Sequence, residues 1–181
     1  MNKLLLSLAV ALLTQCAGCK TKDPFPNPPP TDPLSQLPAE TQTGQRTFGC
    51  LVNGQAWTQA GDPLSGPLLT CSYLNTRLAI VANRAVVING ATNFQRISLV
   101  IDKMSQQGTY TLNDSTQRFA HYENDATGCD VASSSKQPSG NVILTRFDPV
   151  ARIVSGRFAF TLETPRCGKI AVTDGRFDCR F

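Results

Sequence analysis

The chain is 181 residues long, 41% hydrophobic and 17% charged, with a formal net charge of +4. That length holds one domain plus a few dozen residues of targeting and linker sequence, and that composition excludes a disordered chain. The small charge, with no block of Lys or Arg, excludes a nucleic-acid binder built on a basic patch, although arginine-bearing strands at the C-terminus could make one local face basic.

Lys3 opens a short positive region, and Leu4 to Leu13 is an apolar run of ten residues. Ten residues are too few to cross a bilayer and suit the core of a signal peptide, so residues 1–18 are read as a leader that is removed. Ala17-Gly18-Cys19 comes next. It resembles the bacterial lipobox, in which two small residues precede a cysteine that is lipidated and becomes the first residue of the mature protein. Cys19 is the expected lipidation site. Cys16, with Gln15 before it, fits less well and stands where the pattern prefers leucine. The competing reading is an ordinary secretory leader with incidental cysteines.

Seven of the twelve prolines fall between Pro24 and Pro38. Such a segment favours extended polyproline II over helix or sheet, and at ~3.1 Å per residue it would hold a domain tens of ångströms from a membrane. Residues 19–46 are therefore read as lipid anchor and linker, and 47–181 as the folded domain.

In chain order, Phe48 to Val52 reads as a strand, Asn53-Gly54 as a two-residue turn and Gln55 to Trp57 as the return. Gly61 to Pro67 is a loop by composition. Strands follow at Leu68 to Leu74, Arg77 to Ala82, Ala85 to Ile88 and Phe94 to Ile101, with turns at Asn75-Thr76 and Asn89-Gly90. A short helix or 3₁₀ turn around Asp102 to Gln106 is compatible with the pattern. Gly108 to Leu112 and Arg118 to Tyr122 are further strands, Glu123 to Gly140 is irregular, and Asn141 to Phe147 returns to strand.

The last thirty residues alternate most cleanly. Phe158, Phe160 and Leu162 share one face, as do Phe177, Cys179 and Phe181, which is the pattern of strands with one buried side. Asp174-Gly175 supplies turn chemistry between two short closing strands. No window carries helical periodicity. The expected fold is all-β: one antiparallel sandwich or barrel-like domain of about nine to eleven short strands.

Five cysteines lie in the domain: Cys50, Cys71, Cys129, Cys167 and Cys179. An exported protein meets an oxidising compartment, so pairing is expected, and without a Cys-x-x-Cys motif or more than one histidine a zinc site is not. Cys129 and Cys167, both in irregular stretches beside strand ends, are the first expected bridge. Cys50 with Cys71 is the second, with Cys179 to either as the alternative.

Candidate chemistry is sparse. His121, the single histidine, would have to serve any Ser-His or Cys-His mechanism, and no Gly-x-Ser-x-Gly elbow accompanies it. His121, Glu123, Asp125 and Asp130 carry donors suited to a hard cation, but their spacing matches no calcium loop, so a solvated polar loop is the preferred reading. Trp57, Tyr73, Tyr110 and Tyr122 are the stacking candidates. Asp114-Ser115-Thr116 resembles a short O-glycosylation acceptor.

Thr47-Phe-Gly-Cys-Leu-Val-Asn-Gly, Gly108-Thr-Tyr-Thr-Leu, Ser155-Gly-Arg-Phe and Val172-Thr-Asp-Gly-Arg-Phe-Asp together resemble an uncharacterised family, a domain of unknown function in short lipoproteins of Bacteroidetes-type bacteria. The resemblance implies an envelope lipoprotein with a β domain and carries over no catalytic residue. The sequence-level expectation is thus a non-catalytic binding or structural module. It would be tied by lipid to the cell envelope at the outer membrane, without cofactor or metal, and would meet an envelope protein or glycan and not nucleic acid. A barrel-type carrier of a small ligand and a hydrolase using His121 with Glu123 or Asp125 are the alternatives.

Overall fold

The structure, a computed structural model, describes residues 32–62, 66–113, 116–133 and 139–181. The leader, Cys19, and Asp114 and Ser115 of the acceptor-like triplet lie outside them. Among the described residues there are eleven strands: β1 (Thr47–Val52), β2 (Gln55–Thr58), β3 (Leu69–Leu74), β4 (Arg77–Ile88), β5 (Ala91–Ile101), β6 (Gly108–Leu112), β7 (Arg118–Asn124), β8 (Cys129–Ala132), β9 (Gly140–Asp148), β10 (Ile153–Thr164) and β11 (Gly168–Arg180). They form a six-stranded sheet, β2-β1-β11-β10-β9-β6, and a five-stranded sheet, β3-β4-β5-β7-β8. Every strand pair is antiparallel. The two sheets pack face to face without closing, which decides for the sandwich over the barrel.

Alternation builds the interior. Leu78, Ile80 and Ala82 of β4 and Ile97, Leu99 and Ile101 of β5 point inward and are fully buried. From the other sheet Phe48, Phe158, Phe160 and Phe177 meet them, with Phe48 edge-on to Trp57 at 5.8 Å and tilted against Phe158 at 4.9 Å. Residues of one parity fill the space between the sheets, and those of the other parity face outward.

Several expectations need correction. The compact unit begins at Asp32, not Thr47. A 3₁₀ turn at Pro33–Gln36, N-capped by Asp32, leads into a buried Leu37, and residues up to Arg46 lie against the six-stranded sheet. β4 runs unbroken through Asn83 and Arg84, because both pair with β5. Asp102 to Gln106 forms no helix; it is an irregular link that buries Met104, whose amide donates to the Thr76 carbonyl at 2.8 Å. Within the stretch read as irregular, Cys129–Ala132 adds an edge strand.

Asp174-Gly175 is a β-bulge inside a single long β11, with Asp174 at φ +54° and the register against β1 and β10 shifting there. The hairpin turn lies earlier, at Pro165–Cys167. Gly175 answers to a close approach: a Cβ there would stand 2.5 Å from the Phe158 carbonyl oxygen and from its ring.

Of the expected bridges, the first is present, and the second joins Cys179 to Cys71 in place of Cys50 to Cys71. Cys129 and Cys167 are bridged, with Cα atoms 5.3 Å apart. Cys71 joins Cys179 with a Cα separation of 6.4 Å, and Cys50 is left free and buried. Alternation turns Cys50, Cys71 and Cys179 all inward, but only the sheet order puts β3 against the end of β11, while Cys50 sits opposite Trp57 on the β1–β2 pair. Burial pushes the Cys50 thiol far above its ordinary range, against a smaller opposing effect of Arg84. The two bridges tie both edges of the five-stranded sheet, β3 and β8, to the two ends of β11.

Candidate functional site

A concavity with mixed chemistry lies on the outer face of the five-stranded sheet, where residues 60–62 and 66–68 lie beside β4 and β5. It encloses about 450 Å³, within the range of small-molecule sites. Backbone bonds fix the two ends of this segment: the Ala85 amide donates to the Ala60 carbonyl at 2.7 Å, and the Asn83 amide to the Leu68 carbonyl at 2.8 Å.

Three residues in register across three strands form the floor, Asn83 on β4, Arg96 on β5 and Glu123 on β7. Arg96 Nε donates to Asn83 Oδ1 at 3.1 Å, and Arg96 Nη1 to Glu123 Oε2 at 3.2 Å. Asn83 Nδ2 in turn donates to the Pro67 carbonyl at 2.9 Å. Phe94 supplies an apolar wall with 52% of its surface exposed. Behind the floor, the Trp57 indole donates to Gln95 Oε1 at 2.7 Å. Arg84 contributes Nη1 to the Ala56 carbonyl at 3.2 Å, and its shielded Nε has no partner among the described residues.

The residues singled out from sequence are distributed differently. His121 sits on the outer face of β7 with Nε2 2.6 Å from Asp130 Oδ1, and Asp130 is 72% exposed. Glu123 is taken by Arg96, and Asp125 begins a 3₁₀ turn, so the four candidate cation ligands do not converge. No group of three or more His, Cys, Asp or Glu is placed to hold a metal among the described residues. Trp57, Tyr110 and Tyr122 are buried, and Tyr73 is partly buried against Phe147 and Phe181. Phe94 is an exposed aromatic side chain at this cleft, and sequence reading left it as an ordinary strand residue. Its parity held the signal. Phe94 is out of phase with Ile97, Leu99 and Ile101, so it had to face outward.

A second constellation lies on the outer face of the six-stranded sheet. Asp178 is buried, and its carboxylate accepts five hydrogen bonds: from the hydroxyls of Thr41 (2.6 Å) and Ser155 (2.7 Å) and from the amides of Thr43 (3.0 Å), Gly44 (2.8 Å) and Gln45 (3.0 Å). Burial by itself would raise its pKa. The hydrogen bonds from Thr41, Gln45, Ser155 and Gly44 outweigh burial and hold the carboxyl at about 2. Four arginines complete the grip on this arm, residues 32–46 ahead of β1. Arg157 pairs with Glu40 at 2.7 Å, Arg146 donates to the Gln42 carbonyl, Arg176 to that of Pro38 and Arg180 to that of Thr43. The local basic face is therefore occupied by the chain's own arm.

The molecule is thus an antiparallel two-sheet sandwich, stapled by two disulfides, with a mixed polar and aromatic cleft on its surface. The chain belongs to the family described as Domain of unknown function (DUF6252), whose model matches residues 75–178. That span takes in most of the cleft, Asp178 and two of the four bridged cysteines, Cys129 and Cys167, and stops one residue short of Cys179. No match to the chain was found among curated proteins or among solved structures.

Proposed function

We propose that this protein is a non-catalytic binding module of the cell envelope, tethered by lipid at Cys19 and presenting the cleft beside Phe94 to a ligand in the envelope. The cleft is the observation that carries this reading. It is open to solvent and pre-organised by hydrogen bonds, and His121 is not among the residues that line it. The hydrolase alternative finds little support in the geometry, since His121 has an exposed carboxylate as its partner and no enclosed pocket around it. The carrier alternative loses its premise with the open sandwich.

The test is a pull-down from envelope extracts and a glycan panel with the Asp32–Phe181 domain. Retained binding that depends on cleft residues supports the reading. A measurable hydrolysis abolished by His121→Ala, with nothing bound, would overturn it. Mass spectrometry of the mature N-terminus tests the tether: a chain that begins beyond Cys19 without acyl groups would remove it.

A further inference from the structure

Resting on that reading, we infer that the cleft takes an uncharged saccharide, one ring of which lies against Phe94. Three features of the cleft converge on this chemistry.

The first is the platform. Phe94 is half exposed, and its cross-strand partner Ala85 is too small to cover it. A flat apolar surface set beside polar groups suits the C–H face of a sugar ring, which is apolar on its faces and polar around its edge.

The second is the floor. Arg96 and Glu123 place a donor and an acceptor side by side, and the Asn83 bond holds the guanidinium in place. Arg96 is half exposed and spends Nε and Nη1 on these bonds, so it keeps donors for a ligand. Each hydroxyl of a vicinal pair both donates and accepts, so an adjacent donor and acceptor can serve the two hydroxyls at once. A carboxylate or phosphate uses only the donor, and an ammonium only the acceptor.

The third is charge. Arg84 and Arg96 stand among Asp62, Glu123 and Asp125 in the lining. An anion entering here meets three carboxylates, and a cation meets two guanidiniums. Either would give up its hydration without a clear electrostatic return. An uncharged polyol meets neither obstacle.

The single tryptophan makes the inference measurable. Trp57 lies one hydrogen bond behind the cleft, through Gln95, so occupancy that moves Gln95 alters indole emission. The full-length chain, purified in detergent, would be titrated with cello-, malto- and N-acetylchito-oligosaccharides, and in parallel with oligogalacturonates and chitosan oligomers. Emission and calorimetry would be read together.

Saturable binding of a neutral oligosaccharide is expected. Phe94→Ala should weaken it about tenfold, Phe94→Trp should largely retain it, and Glu123→Gln should weaken it with the melting temperature little changed. Preference for the charged oligomers, or indifference to Phe94→Ala, would overturn the ligand class while leaving a binding module. If the panel is silent but an envelope protein is captured, the saccharide is likewise excluded and the module reading stands. If nothing is bound at all, both fail.

Discussion

Ser155 and Asp178 stand directly opposite one another on β10 and β11, and the serine hydroxyl donates to Asp178 Oδ1 at 2.7 Å. This cross-strand pair ties the sheet to the arm, because the same carboxylate collects the Thr41 hydroxyl and three successive arm amides. Asp178→Asn keeps the shape but presents an amide nitrogen to a shell of donors. The variant is expected to lose about 2–4 kcal/mol of stability in urea denaturation at neutral pH.

The same residue sets an acid limb. Its folded pKa of about 2 lies below the unfolded value near ~3.9, so its stabilisation is fully present above the unfolded value and is lost as pH falls through the folded one. The contribution is about 2–3 kcal/mol, for a shift of roughly two units. Asp148, held low by the Ala151 amide and Arg146, adds to the limb in wild type and variant alike. The difference in stability between wild type and Asp178→Asn should therefore shrink between about pH 4 and pH 2. A constant difference across that window would show that the carboxylate is not the anchor.

The arm is part of the fold, and a chain beginning at Thr47 should reveal it. Such a chain loses the buried Leu37, four of the five donors to Asp178 and the partners of four arginines. Its denaturation midpoint is expected to drop by the equivalent of about 3–5 kcal/mol relative to a chain beginning at Asp32. Equal midpoints would mean that residues 32–46 are merely a linker.

The two bridges close loops of different length, with sequence separations of 108 and 38. In the chain-entropy account the Cys71–Cys179 bridge contributes about 5 kcal/mol and Cys129–Cys167 about 4 kcal/mol. Replacing each pair by serines should destabilise in that order. Peptide mapping without reduction is expected to recover both linked pairs, with Cys50 alkylated only after unfolding. A linked Cys50–Cys71 peptide would refute this arrangement.

Asn75-Thr76 turns β3 into β4 with both residues at positive φ, +50° and +62°. A β-branched residue is strained in that region. Thr76→Gly is expected to raise stability by about 0.5–1 kcal/mol, because its backbone carbonyl still accepts the Met104 amide. A fall in melting temperature would show that the Thr76 hydroxyl, which donates to the Asn75 carbonyl at 2.6 Å, outweighs the strain.

The sequence by itself determined the all-β class, the position of nearly every strand, the turns at Asn53-Gly54, Asn75-Thr76 and Asn89-Gly90, and the face on which Ile97 or Phe177 lies. These are properties of near neighbours: side chains alternate with period two, and Asn and Gly accept positive φ. The tertiary structure decided which inward cysteine meets which, that Asp174-Gly175 bulges within β11, and that the arm docks on Asp178. It also decided that Asn83, Arg96 and Glu123 align beneath Phe94. Each of these depends on which strand lies beside or opposite another, across separations of up to 137 residues. Alternation assigns a residue to a face and carries no information about what stands across from it, because many sheet orders bury the same set of side chains.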